Sequence, residues 1–189
     1  ENRLQAMQDE WAQVKFTVTV RDGLEVVLLE DVTDIIGLVE DHLATMQRMR
    51  VDRYFGAHDQ LFKDWEQVLE LVRDCTQGLV TAQGLWLRLA PYFLQPDAVV
   101  PVLKKEAGQF HTAHETFTAA MKNLEKQERA VLAWSRKEGT STKQNLEHAV
   151  RTMEKILEKL TESLRGKRLD FPRFFFVSDE DLLTAFSGE

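Results

Sequence analysis

The sequence predicts a mainly α protein: a long-helix bundle with an N-terminal β-hairpin and a short C-terminal strand-helix. Three observations predict it. Apolar residues recur every three or four positions from Val32 to Leu164, the period of amphipathic helices. Near the start, an alternating run interrupted by Asp22-Gly23 has the two-residue period and turn of a hairpin. Near the end, four phenylalanines fall within the six residues Phe171 to Phe176, and aromatic surface of that extent calls for burial.

Taken in order, a short helix over about Arg3 to Gln8 leads to Trp11. Val14, Phe16, Val18 and Val20 then alternate with Lys15, Thr17 and Thr19 as a half-buried strand. After the Arg21-Asp22-Gly23 turn, Leu24 to Leu29 returns as its partner. An isolated hairpin is marginal, so this one must lean on helices or on chain beyond this segment. From about Glu30 the period is helical, with Val32, Ile35, Val39, Leu43 and Met46 on one face. A break over Val51 to Gly56 precedes a helix from about Ala57 to Leu89. Its stripe is Leu61, Trp65, Val68, Val72, Cys75 and Leu79, the seam of a long helix pair. Gly78 and Gly84 point to close packing or a bend, and Pro91 and Pro96 end the segment.

A further helix covers about Leu103 to Lys137, anchored by Phe110, Phe117, Met121, Leu124, Val131 and Trp134. Glu138-Gly139-Thr140-Ser141-Thr142 reads as a turn in which Gly139 closes one helix and Ser141, with Gln144, caps the next. That next helix, about Thr142 to Arg165, repeats Leu146, Val150, Met153, Leu157, Leu160 and Leu164. Gly166 ends it, and Lys167-Arg168 lead into a strand over about Phe171 to Val177. Ser178 then caps a short helix that opens with Asp179, Glu180 and Asp181. The expected organisation is 1–30 for the short helix and hairpin, 31–166 for the helical bundle, and 167–189 for the joining strand-helix.

Composition bounds the function. The net charge of -7 over 189 residues argues against a nucleic-acid surface, and no apolar run reaches the ~20 residues of a membrane span. Cys75, the single cysteine, excludes an internal disulfide, fits a reducing compartment and reads as a small buried apolar residue. The chain opens Glu1-Asn2-Arg3 and stops at Ser187-Gly188-Glu189; it reads as a piece of a longer polypeptide. No catalytic constellation emerges. Gly166-Lys167-Arg168 lacks the glycine loop of a phosphate-binding motif. His111, His114 and Glu115 lack a further ligand and the order of a zinc helix, so no metal is expected; His114 falls on the Phe110 and Phe117 stripe and reads as a partly buried polar residue. Trp65, Trp86 and Trp134 sit among aliphatic residues at helical spacing, which favours core packing over a ligand platform.

The block Lys167-Arg168, Phe171-Pro172-Arg173-Phe174-Phe175-Phe176, Ser178-Asp179-Glu180 and Leu182-Leu183, taken with Gln83, Trp86, Leu89 and Phe93, resembles the linker region of dynein heavy chains. Glu40-Asp41-His42, Met46-Gln47, Tyr54-Phe55 and Trp65-Glu66 extend the resemblance over essentially the whole chain. Departures fall at Gly84, Ala90, Lys104, Phe117 and Ser163.

By this resemblance, of the axonemal type, the segment is a mechanical lever lying across an AAA+ ATPase ring. It would transmit the ring's ATP-driven change to the tail in microtubule-based motility. Phe171 to Val177 would join two subdomains. The implied partners are the AAA+ ring of the same heavy chain and, through the parent motor, dynein intermediate and light chains and microtubules. Neither nucleic acid nor a membrane is implied. The segment itself would hold no cofactor and catalyse nothing. The implied location is the cytoplasmic cytoskeleton, in the axoneme of a cilium or flagellum. The rival reading is a static helical scaffold that docks accessory chains through the aromatic patch. An enzyme that itself hydrolyses ATP is a distant third.

Overall fold

The computed structural model describes residues 2–21, 26–50, 59–94, 103–127, 129–134, 136–170 and 178. Its elements are α1 (Asn2–Trp11), β1 (Val18–Arg21), β2 (Val26–Leu29), α2 (Thr33–Arg50), α3 (Asp59–Phe93), α4 (Lys104–Lys126), α5 (Ala130–Ala133) and α6 (Arg136–Asp170). The chain is mainly α, with one antiparallel hairpin near its start. The break at 51–56, Pro96 and the expected strand-helix over 171–189, apart from Ser178, lie outside the described residues. Two compact units are present: Glu1–Val80 with Thr118–Leu146, and Thr81–Phe117 with Glu147–Glu189.

In the first unit the hairpin pairs Val18 with Leu29 and Val20 with Val27. The first strand is shorter than the alternation of Val14 to Val20 predicts, and Val20 is exposed. The residues before it turn to another partner. Lys15 forms a bridge with Arg129, and Ala130 donates its backbone N–H to the carbonyl of Val14 at 3.1 Å. Phe16 packs edge-on against Trp134, with ring centroids 5.4 Å apart. The chain leading into the hairpin is thus tied to the segment around α5.

Asp31 starts α2 by accepting hydrogen bonds from the backbone and hydroxyl of Thr33, at 3.0 and 2.5 Å. Such capping satisfies donors that a helix N-terminus leaves open. The predicted face of α2 is buried at Val39, Leu43 and Met46, and His42 joins them.

On α3 the buried stripe of the first unit is Phe62, Trp65, Leu69, Val72, Cys75, Thr76 and Leu79. Trp65, Val72, Cys75 and Leu79 are buried as predicted, while Leu61 is exposed and Val68 half-buried, their places taken by the neighbouring Phe62 and Leu69. Neither glycine is required by a close approach: a Cβ at Gly78 would meet Leu146 Cβ at 3.5 Å, an ordinary van der Waals contact, and Gly84 faces open space. Arg73 and Lys143 both reach the Asp74 carboxylate, at 2.9 and 2.7 Å. Burial opposes ionisation of Asp74, but these hydrogen bonds and charges outweigh it and hold its pKa below the usual carboxylate value.

The helix predicted over 103–137 ends at Lys126. The N–H of Ala130, which would continue the ladder to the carbonyl of Lys126, bonds Val14 instead. A tertiary contact has overridden the local period, leaving the four-residue α5 and an extended Trp134. The turn predicted over 138–142 is helical, inside α6. Gly139 is buried, and a Cβ there would lie 3.0 Å from Trp134 Cβ and 3.4 Å from Leu71 Cδ1. The glycine serves a close approach rather than a turn. Gly166 likewise does not end the helix, which runs on through Lys167 and Arg168 to Asp170.

In the second unit α3 continues through Pro91 to Phe93. Pro91 removes only its own N–H, and Leu94 still donates to the carbonyl of Ala90 at 2.9 Å; the proline does not end the helix. The face of α6 in this unit buries Ala149, Met153, Ile156, Leu160 and Leu164, while Val150 and Leu157 sit half-buried beside it. Lys159 donates to Glu106 at 2.8 Å. This hydrogen bond holds the Glu106 pKa low and the Lys159 pKa high.

Two substitutions in α6 separate the two kinds of glycine. Gly139→Ala overpacks Trp134 and lowers stability by about 1–3 kcal/mol; Gly166→Ala, facing open space, raises it by up to about 1 kcal/mol. Urea denaturation of both variants reads the opposite signs. A third change tests a buried hydroxyl. Thr76 is fully buried and its Oγ1 lacks a hydrogen-bond partner among the described residues. Thr76→Val should raise the thermal midpoint, by about 2–4 °C for a gain of ~1 kcal/mol; an unchanged or lower midpoint contradicts this.

Candidate functional site

Gln83, Trp86, Leu89 and Phe93 are spaced by three, three and four residues on α3, which places them along one face. Trp86 and Leu89 are fully buried, and Gln83 and Phe93 half-buried. Opposite them, α4 supplies Phe110, His114 and Phe117, which share a face by the same period. The two rows form an aromatic ladder within the second unit. Phe93 stacks on Phe110 with centroids 5.1 Å apart, and Trp86 on Phe117 at 5.6 Å. Between these rungs the indole Nε1–H of Trp86 donates to Nδ1 of His114 at 2.9 Å, with the two rings 18° from coplanar.

Accepting at Nδ1 fixes the neutral tautomer of His114, whose proton then sits on Nε2. Burial pushes the pKa of His114 down and His111 pushes it further, while Glu115 opposes them. His111 itself pairs with Glu115 at 3.4 Å. His114 is thus engaged in packing, and His111 faces a carboxylate. Among the described residues, no group of three or more His, Cys, Asp or Glu side chains could hold a metal.

The first unit repeats the tryptophan–histidine bond on other elements. Trp11 Nε1 of α1 donates to His42 Nδ1 of α2 at 2.9 Å, and His42 Nε2 faces Glu10 at 3.3 Å. Sequence reasoning missed both histidine partners, along with the Arg73–Asp74–Lys143 and Glu106–Lys159 pairings. Trp11 and His42 lie 31 residues apart, so no local motif links them. The only available signal was a histidine falling on an otherwise apolar helical face.

The remaining motif residues divide. Lys167 and Arg168 lie in the last turn of α6, where cations favour the helix dipole. Phe171, Pro172, Arg173, Phe174, Phe176, Leu182 and Leu183 lie outside the described residues. Cys75 is sealed in the first unit. Burial above all, with Asp74 beside it, pushes its thiol up to about 12, and its Sγ lies 3.4 Å from the carbonyl oxygen of Gly139. Such a thiol is neither nucleophile nor metal ligand at neutral pH. Helices α3 and α6 also line an open groove of ≈ 550 Å³ in the second unit, with Leu85 and Leu157 flanked by Arg88, Glu154, Glu158, Glu162, Arg165 and Thr161. No helix among the described residues is long and apolar enough to cross a membrane. The chemistry on display holds helices in register.

Two truncations of Trp86 separate its roles. Trp86→Ala removes the ladder's central rung and costs about 3–5 kcal/mol. Trp86→Phe keeps most of the packing, loses the indole hydrogen bond and costs about 1–2 kcal/mol. Chemical denaturation of both variants should resolve the gap; equal losses would show that the bond, not the packing, dominates.

Comparison with known proteins gives the context of these contacts. The chain is 28% identical over 191 residues to Dynein axonemal heavy chain 1 of Rattus norvegicus, covering 99% of this chain and 4% of that protein. It is 27% identical over 187 residues to Dynein axonemal heavy chain 12 of Homo sapiens, again 99% of this chain and 6% of that protein. Dynein axonemal heavy chain 6 of Homo sapiens is 28% identical over 181 residues, 95% of this chain and 4% of its own length. The chain therefore corresponds to a small part of each relative. Residues 1–189 match one protein family throughout, and the chain belongs to that family, Dynein heavy chain, N-terminal region 2.

Proposed function

We propose that this segment of a dynein heavy chain is a mechanical linker, transmitting the ATP-driven conformational change of an AAA+ ring in the same heavy chain to the tail. The observation that carries the reading is the whole-chain match to the heavy-chain N-terminal region in a chain built on two helices of 35 residues, α3 and α6. Each is about 52 Å long at 1.5 Å per residue. Helices joined by buried seams and side-chain bonds resist bending, and a lever must deliver displacement rather than absorb it. In this reading the segment binds no nucleotide and holds no cofactor. Its immediate partner is the ring, and microtubules and the intermediate and light chains are met through the whole motor. The axonemal relatives support a place in the cytoskeleton of a cilium or flagellum. The stretch Phe171 to Val177, with Pro172, Arg173, Phe174 and Phe176, joins this segment to the next subdomain.

The test is made in a whole dynein heavy chain carrying this segment. Lys155→Pro interrupts the exposed side of α6 at a helix cost of about 3 kcal/mol, and Lys155→Ala is its control. The linker reading expects the proline variant to keep microtubule-stimulated ATP turnover while gliding velocity falls several-fold. A static scaffold expects velocity to follow turnover in both variants, and that result would overturn the proposal.

A further inference from the structure

We propose that the Trp86–His114 pair is a proton-sensitive catch between α3 and α4 of the second unit, closed when His114 is neutral and opened when it takes up a proton. The inference starts from donor and acceptor counting. Indole Nε1–H can only donate, and a neutral imidazole has one acceptor nitrogen, here Nδ1 at 2.9 Å. Once protonated, both ring nitrogens are donors. Two N–H groups then face each other where one hydrogen bond stood, and the fully buried Trp86 loses the acceptor of its N–H. Phe110 and His111 flank the ring, with centroids 6.3 and 6.2 Å away.

The surroundings decide at which pH this happens. From α3 the group facing His114 is the uncharged Trp86. On α4 itself the charged and titratable neighbours among the described residues are His111, which disfavours the protonated form of His114, and Glu115, which favours it. Glu115 is already shared with His111. Burial and His111 prevail, so the imidazole stays neutral below the ordinary histidine value of about 6.5. The sign follows: the unfolded chain binds this proton more readily than the folded one, so stability falls as pH drops through that window. The Trp11–His42 bond of the first unit has a different environment, since the other nitrogen of His42 faces the Glu10 carboxylate at 3.3 Å.

The test is an NMR titration of the chain from about pH 8 to about pH 5, across the range in which histidine changes charge. It follows the Trp86 indole N–H, assigned with W86F, together with the His114 ring. The catch requires the indole signal to move with the His114 midpoint, below about 6.5. H114Q keeps an acceptor but cannot titrate, and should leave the Trp86 signal flat through the window. E115Q removes the favourable charge of Glu115 and should carry both midpoints lower together. An indole signal that stays still while His114 titrates, that moves unchanged in H114Q, or that ignores a midpoint displaced by E115Q overturns the proposal.

Discussion

The close approach at Gly139 is the contact on which the rest of the first unit depends. Here the first turn of α6 comes within ordinary packing distance of Leu71 on α3 and of Trp134. A side chain at that position would push these elements apart. With no Cβ in the way, Trp134 can lie edge-on to Phe16, and Cys75 Sγ can sit 3.4 Å from the carbonyl oxygen of residue 139. Lys143, one turn further on, then reaches Asp74. The extended pairing of Arg129 and Ala130 with Lys15 and Val14 belongs to the same arrangement. Once those backbone groups bond across to the N-terminal chain, α4 cannot continue, and the short α5 and the start of α6 follow.

The legible parts of the fold are those set by apolar period alone. The stripe Leu146, Met153, Leu160 and Leu164 is buried where α6 was expected to bury it, and Val39, Leu43 and Met46 are the face of α2. Period fixes a face only to within a neighbouring position, which is why Phe62 and Leu69 replace Leu61 and Val68 in the α3 seam. Punctuation was less legible. Glycine and proline announce an exception without saying which. Gly139 marks a close approach, Gly166 lies inside a helix facing open space, and Pro91 sits in a last turn that closes around it. The end of α4 was illegible from local sequence because its cause, the carbonyl of Val14, lies more than a hundred residues away.

The candidate site was half legible for the same reason. Trp86 declared itself as core by spacing and is fully buried, as is Leu89, which only the resemblance singled out. His114, the partner of Trp86, did not, because a polar residue on an apolar stripe acquires its meaning only from the group it meets. Both tryptophan–histidine bonds satisfy an indole donor that burial would otherwise leave open. Such bonds specify which helix meets which.

The sealed thiol of Cys75 carries a consequence of a different kind. A buried group with its proton held this firmly reacts with alkylating or disulfide reagents only after the α3–α6 contact has separated. Its modification rate is therefore proportional to the population of the opened state when reclosing outpaces the reagent, and becomes the opening rate itself when the reagent is fast. As the chain's single cysteine, it is a kinetic recorder placed at the seam where Gly139 sits. It would count excursions of that seam without any label having been added to the protein.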